Sequence, residues 1–179
     1  ILVVTVGYFF YLLTFAGLDR AERRRVLVVL ALFVSSALFW AGYEQAGSSL
    51  NLFAERFTDR MVGDFEIPAG WFQAPSALYI LLSAPAFSAL WIHLGRRNLD
   101  PSAPAKFALG LLLLGLGFVV MVGAATVVAS GRLAGPQWLL LAYLLHCFGE
   151  LCLSPVGLSS VTKLAPPRLV GQMMGLWFL

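Results

Sequence analysis

Lys106-Phe107-Ala108-Leu109-Gly110-Leu111-Leu112-Leu113-Leu114-Gly115-Leu116-Gly117-Phe118-Val119-Val120-Met121-Val122-Gly123-Ala124-Ala125-Thr126-Val127-Val128-Ala129-Ser130 carries no charge after its first residue. About 20 apolar residues in an α-helix, at ~1.5 Å per residue, cross the hydrocarbon core of a bilayer. The run therefore reads as a transmembrane helix. Its neighbours read the same way. Downstream, Gly131 to Pro136 is a short turn, and Gln137 to about Leu164 is a second span holding His146, Glu150 and Pro155. Pro166-Pro167 breaks it, and a last apolar segment begins near Arg168. Upstream, His93 to Ala105 is a loop with Arg96, Arg97 and two prolines. Trp71 to Ile92 is a span, Thr58 to Gly70 an acidic connection, and Val26 to about Phe57 a long span containing Trp40 and Glu44. Asp19 to Arg25 is a charged break after the apolar run Ile1 to Leu18.

This gives four complete spans and two partial ones. Composition agrees: of 179 residues, 60% are hydrophobic and 12% charged, about half the charge of a soluble domain. The expected class is an all-α membrane protein. The apolar openings at Ile1 and Leu179 lead us to expect a piece of a longer chain. The net charge of +3 does not point to nucleic acid, because the basic residues sit at span ends. Arg20, Arg23, Arg24 and Arg25, then Arg96, Arg97 and Lys106, then Lys163 and Arg168 fall on one side if every segment crosses. The positive-inside bias places that side in the cytoplasm of a multi-pass cell (inner) membrane protein. Trp71, Trp91 and Trp138 fall at span ends, where indoles anchor; Trp40 is mid-span and is expected to face protein. Cys147 and Cys152 lie about 8–9 Å apart on one helix, too far for a disulfide.

Glu44 and Glu150 decide what the bundle does. A charged side chain at the centre of a spanning helix costs roughly 2.5–3.5 kcal/mol on insertion scales. Each acid should therefore face a polar cavity or a partner charge. Gly42, Ala46, Gly47, Ser48 and Ser49 give Glu44 a small, polar surround, suited to close helix approach or to lining a pathway; a structural helix–helix ion pair is the alternative. Beyond Glu150, Pro155 cannot donate to the carbonyl of Leu151, and Gly157 adds freedom, so the helix is expected to hinge there. A kinked structural helix with a protonated glutamate is the alternative. Desolvation favours the neutral form of an acid, so the pair are candidate proton sites. His146, one turn before Glu150, is a relay candidate or a packing residue. No metal cluster, phosphate loop or nucleophile constellation is present in the sequence, so no enzyme, metal or cofactor beyond protons is expected.

Phe39-Trp40, then Glu44-Gln45-Ala46-Gly47-Ser48-Ser49, then Gly149-Glu150-Leu151 with Ser154-Pro155-Val156-Gly157-Leu158-Ser159 resemble the C-terminal half of the proton-dependent oligopeptide transporter family. Val161 to Pro166 and Met173 to Phe178 are similar to it as well. The resemblance implies the major facilitator fold, two six-helix bundles rocking about a central site. Residues 1–18 would end the extra helix between bundles, and 26–179 would hold the seventh to tenth transmembrane helices and the start of the eleventh. It further implies proton-coupled import of di- and tripeptides by alternating access, with the N-terminal bundle of the same protein as partner. Glu150 would meet the peptide's amino end, Glu44 would take part in proton coupling, and Trp40, Trp177 and Phe178 would line side-chain pockets. Where the family often has Gln-Ser-x-Asn-Pro, this chain has Gln73-Ala74-Pro75-Ser76-Ala77, so Ser76 would offer a shorter contact. A transporter of another solute such as nitrate, and a non-transporting membrane peptide receptor, are the alternatives.

Overall fold

The computed structural model describes residues 2–178; Ile1 and Leu179, at the ends of the terminal apolar runs, lie outside them. Among the described residues seven α-helices are formed: α1 Leu2–Phe15, α2 Arg20–Tyr43, α3 Ser49–Phe57, α4 Ala74–Arg96, α5 Ala103–Ala129, α6 Gln137–Leu164 and α7 Val170–Trp177. Four stretches are long and apolar enough to cross a membrane: Arg20–Phe57, Ala69–Arg96, Ala103–Ala129 and Gln137–Leu164. These are the four spans expected from the sequence, and the helical bundle is that of a multi-pass membrane protein.

Three details differ from the expectation. The charged break Asp19–Arg25 lies largely inside α2. Asp19 caps the helix, accepting from Glu22 N at 2.7 Å, while Glu22 Oε2 accepts from Asp19 N at 3.2 Å. This reciprocal capping box lets the helix begin among its arginines. The long span Val26–Phe57 is interrupted: a 3-10 turn, Glu44–Gly47, separates α2 from α3. Ser48 leaves helical geometry at φ −123°, ψ −92°. Gln45 Oε1 accepts from both Ser48 Oγ (3.1 Å) and Ser49 Oγ (2.7 Å). Such local side-chain bonds compete with the helix ladder. Glu44 thus stands at a break between two helices, not within one. Finally, the acidic connection contains a hairpin, β1 Met61–Val62 paired with β2 Phe65–Glu66. Gly63 supplies φ +61° at its tip, the requirement of a two-residue turn. Arg60 is 2.5 Å from Glu66 and donates to the Ile67 carbonyl at 2.7 Å. The charge of Arg60 is therefore neutralised locally.

The densest contact is the antiparallel pair α5 and α6. Gly110, Leu114, Gly117, Met121 and Ala124 form the buried stripe of α5. Small residues at about seven-residue spacing let two backbones meet. At Gly110 and Gly149 they do: a Cβ on Gly149 would lie 2.8 Å from the Gly110 carbonyl oxygen, and one on Gly110 2.9 Å from that of Gly149. Around this pair the core forms three clusters. One, at the hairpin end, joins Phe72, Met121, Leu139 and Tyr143. A middle one joins Leu32, Phe39, Phe107, Leu114 and Leu153. The third joins Phe9, Val26, Val29, Val161 and Met173. At that third end Arg168 reaches Glu22 at 3.2 Å, which brings the first and last basic segments together on one side.

Candidate functional site

Glu150 sits on α6 directly after the Gly149 contact. The α5–α6 crossing therefore fixes its depth and rotation. Tyr143, His146, Cys147 and Glu150 follow at 3, 1 and 3 residues, which places them on one helical face. That face looks toward α2, the Glu44 turn and the start of α4. Between them lies a cavity of ≈ 210 Å³. From the Glu44 turn, Tyr43, Glu44 and Gly47 line it; from the start of α4, Gln73 and Ser76; from α6, Tyr143, His146 and Cys147. Glu44 and Ser76, separated by most of the outer loop in sequence, share this one space.

Cys147 ties the three walls together. Its Sγ donates to the Ser76 carbonyl at 3.6 Å and stands 3.9 Å from the Tyr43 hydroxyl. A polar track thus runs from Ser76 through Cys147 to Tyr43, with Glu150 one turn beyond Cys147 on the same face of α6. Several polar atoms along it have no partner among the described residues: the Tyr143 hydroxyl, both ring nitrogens of His146, and Glu150 Oε2. Neither Glu44 nor Glu150 makes a salt bridge among the described residues, where the ion pairs are Arg60–Glu66, Lys106–Asp100 and Arg168–Glu22. A buried group left unpaired costs ~1–3 kcal/mol. Groups of this kind are satisfied by water, by a ligand or by further protein.

The other residues singled out in the sequence fall elsewhere. Trp40 is 37% exposed, at the edge of an aromatic group: its ring centroid is 5.8 Å from Phe39 and 5.3 Å from Tyr43. Phe39, its neighbour, is the ring buried in the bundle; the helix turns Trp40 toward the open face instead of into this core. Pro155 lies within α6, which remains helical from Gln137 to Leu164. Gly157 is where Trp177 seats: a Cβ there would meet Trp177 Cζ2 at 2.5 Å and Phe107 Cζ at 3.2 Å. Its small size serves packing in this conformation, and an opening hinge would have to part that contact. Trp177 stacks edge-on to Phe33 and Phe107 at 6.0 and 6.4 Å, away from the cavity, and Phe178 is 74% exposed.

Sequence reasoning missed Tyr43, Tyr143, Gln73 and Cys147 as parts of the site. The polar stripe on α6 was a readable signal, since a spanning helix with four polar positions on one face needs a polar neighbour. His146 is 2% exposed, lies 5.0 Å from Phe118 by ring centroid, and fills the notch left by Gly117. A Cβ at Gly117 would collide with its imidazole. Gly117→Ala is expected to lower the thermal stability of the full-length protein by ~1–3 kcal/mol, and His146→Ala on top of it to recover most of that loss. A double-mutant melting series checks this, and additive losses contradict it.

Comparison with known proteins places these features. A family model described as "PTR2: POT family" matches residues 3–179. Peptide transporter YePEPT of Yersinia enterocolitica is 51% identical over 173 residues, covering 96% of this chain and 34% of that protein. Dipeptide and tripeptide permease B of Salmonella typhimurium is 32% identical over 179 residues, covering 100% of this chain and 36% of that protein. Among solved structures, peptide transporter POT in complex with sulfate superposes with a TM-score of 0.91 at 41% identity, over 99% of this chain and 35% of that one. A POT family transporter in complex with 5-aminolevulinic acid gives 0.86 at 32% identity, over 98% and 36%. The chain spans about a third of the length of the curated relatives it matches.

Proposed function

The chain belongs to the POT family, with the major facilitator fold, and from this we propose that it forms part of a proton-coupled symporter that imports di- and tripeptides by alternating access. It is a transporter segment and not an enzyme, with protons as the coupling ion and no other cofactor. The observation that carries the reading is the two acids left without a salt bridge among the described residues, Glu150 on the polar face of α6 and Glu44 at the cavity wall. Glu150 has a buried oxygen with no partner among the described residues, and a peptide ammonium supplies both the charge and the hydrogen bonds it lacks. Glu44, exposed at the helix break, is placed to exchange a proton or an ion pair with the N-terminal bundle. The names of the relatives, peptide transporter and dipeptide and tripeptide permease, support the substrate class. Residues 1–18 fit the end of a helix between bundles, and 26–179 the seventh to tenth helices with the start of the eleventh.

In this reading Ser76 contacts the peptide from α4, and Trp40, Trp177 and Phe178 shape side-chain pockets once the N-terminal bundle covers their exposed faces. Pro155 and Gly157 let α6 bend when the cytoplasmic gate opens, which requires Trp177 to leave its seat on Gly157. The test is uptake by the full-length protein in proteoliposomes under an inward proton gradient, with dialanine or nitrate as competitor. Dialanine is expected to suppress labelled dipeptide uptake and nitrate to leave it unchanged. Suppression by nitrate alone would overturn the substrate class, because an anion gains nothing from Glu150.

A further inference from the structure

A second cavity, ≈ 540 Å³, lies between the end of α4, the start of α5 and the last turns of α6. It is at the end that the basic loops assign to the cytoplasm. Its polar lining is rich in donors. Lys106 is 8% exposed, 2.7 Å from Asp100, and its ammonium stands 4.6 Å from the centre of the Trp91 ring. Lys163 lines the cavity from α6 and has no salt bridge among the described residues. Ser160 is buried in its wall. Ser102 and Ala103, where α5 begins, also line it, adding the unpaired amides and positive end of a long helix. The Trp91 indole nitrogen is buried and has no acceptor among the described residues. Two ammonium groups against the one carboxylate of Asp100 leave a net positive charge.

We propose that this cavity binds a phosphate group, carried either by the headgroup of an anionic phospholipid or by a soluble phosphate ester. On binding, a small shift of the Trp91 indole, which lines the cavity, gives its stranded N–H a phosphate oxygen as acceptor, and the phosphate charge meets Lys163 and the half-compensated Lys106. An apolar acceptor-free ligand would leave the indole nitrogen unpaired, and a cation would meet two ammonium groups. The cytoplasmic leaflet is where anionic headgroups concentrate, and basic pockets between spanning helices are where they bind. Pro155 and Val156 line the same cavity, so the occupant touches α6 at its proline.

The test uses the full-length protein and the variants Lys163→Gln and Trp91→Phe, neither of which removes the Lys106–Asp100 pair. Melting temperature is read in phosphatidylcholine nanodiscs with and without phosphatidylglycerol, and in detergent with inorganic phosphate against chloride at equal ionic strength. A lipid headgroup site gives a stabilisation by phosphatidylglycerol that both variants diminish, with Lys163→Gln weakening binding about fivefold, the worth of one lysine at an anionic surface. A soluble phosphate site gives the same pattern with inorganic phosphate in detergent. If neither addition stabilises the wild type, or if Trp91→Phe keeps the full shift as general surface attraction would, the site is disproved.

Discussion

Gly149→Ala is expected to be the most damaging single methyl group in this chain. The added Cβ would stand 2.8 Å from the Gly110 carbonyl oxygen and 3.0 Å from Phe39 Cε2. The first of these is backbone on a neighbouring helix and cannot rotate away. Relief requires α5 and α6 to separate along their best-packed stretch, so the cost is expected to exceed the ~1–3 kcal/mol usual for overpacking. Gly110→Ala, which meets the Gly149 oxygen at 2.9 Å, should match it. Gly115→Ala is the control. It lies on the same helix with nothing among the described residues within 4 Å of its Cβ, and alanine there should stabilise by up to ~1 kcal/mol through helix propensity. Thermal melts of the full-length protein in detergent separate the positions. Equal melting temperatures for the Gly149 and Gly115 variants would mean that the backbone contact does not hold the pair.

Glu150→Gln is expected to reduce proton-driven dipeptide uptake ~30-fold or more, the effect of removing one member of a desolvated charge pair, without a comparable loss of stability. Glutamine keeps the shape and its hydrogen-bonding capacity, but it lacks the charge that an ammonium requires. The melting temperature distinguishes the causes: a folded, inactive variant supports the contact, whereas an unfolded one points to a structural role. Glu150→Asp should recover part of the activity, because the charge remains and only the reach changes.

Both positions show what could and could not be read from the residues. The spans were legible because Phe107 to Ala129 and their neighbours admit one reading in a bilayer, and the stretch Glu44 to Ser49 was legible as small and polar. That it breaks the helix was not: the apolar pattern continues through it, and the interruption depends on Gln45 receiving two serine hydroxyls. The hairpin was hidden because its strands are two residues each, although Gly63-Asp64 was the turn signal. Glu150 stood out by cost alone. The Tyr143–Cys147 stripe beneath it was periodic and open to reading, while Tyr43 and Ser76 reach the cavity only through tertiary packing. Gly157 reads from sequence as a source of freedom beside Pro155; packing adds that it seats Trp177 and that Gly149 stands at a backbone crossing.

The central claim is that the two acids divide the work, Glu150 holding substrate and Glu44 exchanging the proton. Dipeptide uptake into proteoliposomes of full-length Glu44→Gln tests it most directly, measured once under an inward proton gradient and once as peptide exchange with no gradient. The account predicts that gradient-driven accumulation disappears while exchange persists near the wild-type rate. Gradient-driven accumulation at the wild-type level would contradict it.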